Sequence, residues 1–96
     1  MSISKYSEEK LNNEKVFVKL YADWCNPCKN YAPIVDKVVE DTGANFMELN
    51  IDNNSFAQDH KVKTIPTIIY FENGEEQDRK TGSLPESVLL EWVKSK

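Results

Sequence analysis

Cysteine is nearly absent from this chain: two residues among 96, Cys25 and Cys28, both within one hexapeptide. The single histidine is His60. A tetrahedral zinc site built on the cysteine pair needs two more ligands, and beyond carboxylates only His60 is on offer, so no metal is expected. Basic charge is short as well. Twelve Lys and Arg against 16 Asp and Glu leave a net charge of -4, which provides no basic footprint for nucleic acid. No apolar run approaches the ~20 residues that cross a bilayer, so no membrane partner is expected. Residues 1–9 contain neither an apolar h-region nor a small-residue cleavage site, and the expected location is cytoplasmic. Repeats, linkers and low-complexity segments are also missing. What remains is 40% hydrophobic, with four Phe, four Tyr and two Trp, ordinary for one folded domain spanning residues 1–96.

The chain punctuates itself clearly after a polar start, where only a weak strand near Ile3 and a short helix over 6–12 are legible. Residues 15–22 form a dense β-branched and aromatic run, as a strand covered on both faces requires. From Asn26 to Thr42, Tyr31, Ile34, Val35, Val38 and Val39 recur at helical spacing; Pro27 suits the first turn and Gly43 the stop. Pro33 falls inside this helix and is expected to kink it. Residues 45–51 alternate, with Met47, Leu49 and Ile51 facing one way and Phe46, Glu48 and Asn50 the other. Residues 52–55 are cap material for a short helix through about His60. Residues 67–71 are a further strand, and Asn73-Gly74 is a hairpin signal. The returning strand, 75–81, is so charged that it belongs at a solvent-facing edge. Gly82 breaks it, and a last helix places Val88, Leu89, Trp92 and Val93 on one face. The order β-α-β-α-β-α-β-β-α predicts an α/β fold. Its central mixed sheet has four or five strands, with helices on both faces.

Against this frame the pair Cys25-Asn26-Pro27-Cys28 sits at the junction of a strand and a helix. A thiolate, not a thiol, attacks a disulfide. A helix N-terminus, with unpaired N–H groups and a positive dipole end, favours that anion at Cys25. Cys28 lies one turn later on the same side, placed to attack a mixed disulfide formed by Cys25. Trp24 supplies a flat apolar rim, while Asn26 and Pro27 hold the spacing. Dithiol–disulfide exchange therefore outweighs an inert buried pair.

Trp24-Cys25-Asn26-Pro27-Cys28-Lys29 resembles the Trp-Cys-Gly-Pro-Cys-Lys motif of the thioredoxin family. The likeness runs from Val16 to Val93 through Pro33, Leu49-Asn50-Ile51-Asp52, Ile65-Pro66-Thr67, Asn73-Gly74 and Gly82. It implies a thioredoxin-like fold and a cis bond before Pro66, opposite Cys25. It also implies a shallow client groove rimmed by Trp24, Thr64, Ile65, Pro66, Gly82 and Ser83. The implied activity is protein-disulfide reduction by a monomeric dithiol carrier that binds no cofactor. NADPH would act only through a thioredoxin reductase. By family analogy the clients include ribonucleotide reductase, peroxiredoxin and sulfoxide reductase. A glutaredoxin-like carrier, a dedicated redoxin serving one client such as ribonucleotide reductase, and a non-catalytic binding subunit are the rival readings.

Two departures from the family stand out. Asn26 replaces the usual Gly and is expected to shift the redox potential. Lys19 and Glu48 each interrupt an apolar strand, where the family commonly has an aspartate and a lysine respectively. An unpaired charge in a covered sheet is costly, so Lys19 and Glu48 are expected to pair beneath the cysteines and to serve proton transfer. Asp52 has two roles open to it, accepting a hydrogen bond from the Trp24 indole or capping the following helix. His60, Tyr31 and Trp92 read as packing.

Overall fold

Alternation along one strand determines which helices cover which side of the sheet. The computed structural model describes residues 3–96; Met1 and Ser2, which begin the segment read above for a leader, lie outside the described residues. In chain order the elements are β1 (Ser4–Lys5), α1 (Glu8–Asn13), β2 (Lys15–Tyr21), α2 (Asn26–Thr42) and β3 (Phe46–Asn50). A 3-10 turn (Ile51–Asn53) leads to α3 (Phe56–Asp59), β4 (Thr67–Glu72), β5 (Glu75–Thr81) and α4 (Glu86–Lys94). The sheet order is β1-β3-β2-β4-β5. β1 and β2 run parallel to β3, β4 runs antiparallel to β2, and β5 closes the hairpin at the edge. This is a thioredoxin-like fold.

Val16, Val18 and Leu20 of β2 are fully buried against Leu11, Met47, Leu49, Phe56, Ile69 and Phe71, beneath α1 and α3. Phe17 points the other way, into Tyr31, Val35, Val38, Phe46, Tyr70 and Trp92, beneath α2 and α4. Both faces of the central strand are thus covered, which is why its sequence reads as an almost unbroken apolar run. Lys19 falls on the Phe17 side, and its residue is 7% exposed.

Two expectations need correction. Ile51 does not extend β3: the Asn50 side chain accepts the Asp52 N–H at 2.9 Å and turns the chain out of the ladder. Ile51 still packs against the α1/α3 side. Val88 is 47% exposed, although Leu89, Trp92 and Val93 are buried as a stripe. It lies about 100° round the helix from Leu89, on the stripe's solvent flank.

Candidate active site

β2 delivers the chain to the reactive pair through a tight turn in which the Cys25 N–H donates to the Ala22 carbonyl at 3.1 Å. Cys25 is the N-cap of α2, extended at φ -95° and ψ 102°, and its Sγ accepts the Cys28 N–H at 3.1 Å. Its sulfur therefore occupies the position where a cap oxygen usually satisfies one of the helix's unpaired donors. Pro27 loses nothing in this first turn, where an N–H has no partner inside the helix. Cys25 and Cys28 are joined as a disulfide with their Cα atoms 5.3 Å apart.

In the disulfide form Cys25 is only 5% exposed, and Cys28 6%. What separates the two is the space that each one borders. Cys25 borders a cleft of about 460 Å³, with Trp24, Asn26 and Pro27 on one wall and Lys63, Thr64 and Ile65 on the other. Cys28 borders a second cavity of about 220 Å³ on the sheet side, whose lining includes Lys19, Glu48, Tyr21, Asp23 and Lys29. One disulfide thus bridges an outward cleft and an inner charged cavity.

Trp24 is 64% exposed at the rim of the cleft. Its indole N–H donates to Asp52 Oδ2 at 2.9 Å, which fixes the ring. Asp52 does not cap α3; the Phe56 N–H goes to Asn54 Oδ1 instead. The facing loop is pinned from both ends. Thr67 Oγ1 donates to the Thr64 carbonyl at 2.7 Å, and the Gly82 N–H donates to the Pro66 carbonyl at 2.8 Å. The Ile65–Pro66 bond is cis, and the Ile65 carbonyl oxygen lies 4.0 Å from Cys25 Sγ. With no hydrogen on a disulfide sulfur, this is a contact rather than a hydrogen bond.

The groove read from the sequence is only partly assembled. Trp24, Cys25, Thr64 and Ile65 share the cleft, whereas Pro66 is buried behind it and Gly82 and Ser83 lie outside its lining. Gly82 serves the loop instead, at φ +85°, a left-handed conformation that glycine adopts without strain. Lys63 was missed by sequence reasoning. Its place two residues before Ile65 was the available signal.

Beneath the cysteines, Lys19 and Glu48 are direct partners in the β2–β3 register. Lys19 Nζ and Glu48 Oε1 are 3.7 Å apart, with the Lys19 side chain 8% exposed and that of Glu48 36% exposed. The ammonium also stands 5.8 Å from the Tyr21 ring centroid, within cation–π reach. Burial first, then the negative charges of Glu48 and Asp23, push the Tyr21 phenol above its ordinary pKa. Tyr21 therefore stays a neutral wall of this cavity. Among the described residues, no group of three or more His, Cys, Asp or Glu could hold a metal ion, and no helix is long and apolar enough to cross a membrane.

Comparison with known proteins agrees with this geometry. The family model described as Thioredoxin matches residues 2–95. A thioredoxin of Mycoplasmoides gallisepticum is 36% identical over 84 residues, covering 85% of this chain and 84% of its own length. A thioredoxin of Rickettsia felis is 34% identical over 94 residues, covering 94% and 90% respectively. Among solved structures, a mutant thioredoxin from Halobacterium salinarum superposes with a TM-score of 0.83 at 28% identity, over 97% of this chain and 88% of that one.

Proposed function

We propose a working cycle for this chain, which belongs to the thioredoxin family and is a protein-disulfide oxidoreductase acting on disulfide-bonded clients. The cycle starts from the reduced dithiol. The Cys25 thiolate attacks one sulfur of a client disulfide, forming a mixed disulfide and releasing the first client thiolate. The Cys28 thiolate then attacks Cys25 Sγ, closing the intramolecular disulfide and releasing the second. Two electrons leave the dithiol, and with two protons they convert the client disulfide to two thiols. The supporting observation is that Cys25 borders the outward cleft while Cys28 borders the inner cavity. Only the first meets a docked client, and only the second is shielded from it.

Before its attack, Cys28 must lose a proton. Glu48 borders the same cavity and is our choice of acceptor, with the Lys19 ammonium offsetting the negative charge that develops there. Trp24, Thr64 and Ile65 hold the client strand, with Pro66, Gly82 and Ser83 supporting the loop behind it. Asn26 and Pro27 keep the sulfurs in register, and Asp52 steadies the rim through Trp24.

The finer assignments follow family analogy. The chain acts as one domain over residues 1–96, monomeric and cytoplasmic. It is returned to the dithiol by a thioredoxin reductase drawing on NADPH, and it serves ribonucleotide reductase, peroxiredoxin or sulfoxide reductase. The decisive experiment compares Cys28→Ser with Cys25→Ser on insulin disulfides. Cys28→Ser should lose multiple turnover and accumulate a mixed disulfide through Cys25, and Cys25→Ser should do neither chemistry. Full turnover by Cys28→Ser would overturn the assignment of roles.

A further inference from the structure

We propose that Lys63 makes the client cleft selective for disulfides with an Asp or Glu within two residues of the attacked cysteine. The proposal deepens the function above and rests on its reading of the cleft as the client groove. In the disulfide form Lys63 alone of the side chains lining that cleft carries a formal charge; in the reduced form the Cys25 thiolate adds a negative one, and Trp24, Asn26, Pro27, Thr64 and Ile65 are neutral in both. Lys63 is exposed, and among the described residues its ammonium makes no ion pair. An arriving carboxylate therefore displaces no internal partner, the usual offset against a new ion pair.

This cation stands against the chain's own balance, since the net charge is -4. At physiological ionic strength charges are screened over about 8 Å, so the distant acidic surface has little say once a client has docked. Neither nearby acid lines the cleft: Asp52 keeps its charge behind the rim, where it accepts the Trp24 indole N–H, and Asp23 borders the inner cavity. Position sets the reading frame. Ile65 contacts Cys25 through its carbonyl at 4.0 Å. Lys63 lies two residues upstream, and two residues of chain span at most about 7 Å. An extended client strand beside this loop meets the ammonium about two residues from its own cysteine. A carboxylate there gains an exposed ion pair, and a lysine meets a like charge.

The test uses three disulfide-linked fluorescent peptides that differ only in Glu, Gln or Lys two residues from the cysteine. Each is given to the wild-type chain, Lys63→Gln and Lys63→Glu at low and high salt. An exposed ion pair is expected to favour Glu over Gln by about two- to fivefold in kcat/KM for the wild type. The Lys peptide should fare worst, and the spread should shrink at high salt. The Glu-to-Gln ratio should fall to about one in Lys63→Gln and invert in Lys63→Glu. An equal Glu-to-Gln ratio in the wild type and Lys63→Gln would overturn the proposal. Failure of the wild type to reduce any of the three, the neutral one included, would remove the cleft reading and this proposal with it.

Discussion

Replacing Asp78 by asparagine tests how the last helix is held to the edge of the sheet. Asp78 lies on β5 opposite Tyr70, and its Oδ2 accepts the Trp92 indole N–H at 2.9 Å and lies 3.0 Å from Lys96 Nζ. The indole hydrogen bond above all, then Lys96, lowers its carboxyl from 3.8 to about 2, with burial working in the opposite direction. At ~1.36 kcal/mol per pKa unit the full change is worth ~2.4 kcal/mol. The Asp78 side chain is 36% exposed, and solvent screening reduces that to about 1 kcal/mol. The folded-state pKa is depressed, so this stability is fully present above 3.8 and disappears as pH falls through about 2. Asparagine still offers an oxygen to Trp92, which isolates the charge. Thermal melts near neutral pH should place Asp78→Asn about 4–8 °C below the wild type, and the gap should close across the same acid window. Equal melting temperatures near neutrality, or a gap that persists unchanged to pH about 2, would refute the reasoning.

Two further outcomes concern the site. Glu48→Gln should slow client reduction on the order of ten- to a hundredfold, with KM changed by less than about twofold and an altered pH profile. An unchanged rate and profile would end the proton-acceptor role. Trp24→Ala removes an exposed indole whose ring is steadied by Asp52. KM for a folded client should rise by about tenfold or more, while the rate with a small disulfide such as dithionitrobenzoate should hold, a contrast that steady-state kinetics reads directly.

Local chemistry wrote much of this fold legibly. The apolar run of β2, the Pro27 start and Gly43 stop of α2, and the Asn73-Gly74 hairpin each follow from residues adjacent in sequence, and each stands where expected. Lys19 and Glu48 were noticeable because a charge inside an apolar strand needs a partner, and the strands bring them into register. The remainder depends on contacts that no local pattern carries. Period-two alternation says which face a side chain takes, but not that β4 will lie antiparallel beside β2. No local pattern shows that the Gly82 N–H will hold the Pro66 carbonyl.

Lys63 shows the same limit from the other direction. Its one local mark is its place two residues before Ile65, and it borders the cleft because the bonds Thr67–Thr64 and Gly82–Pro66 fold its loop against the start of α2. The division of labour proposed for the two sulfurs has a similar origin. Their spacing makes the disulfide, but β2 and its turn decide that one sulfur borders the outward cleft and the other the Lys19–Glu48 cavity. Reactivity in this chain is accordingly written in six residues, while the direction and selectivity proposed for it depend on the sheet and loop that surround them.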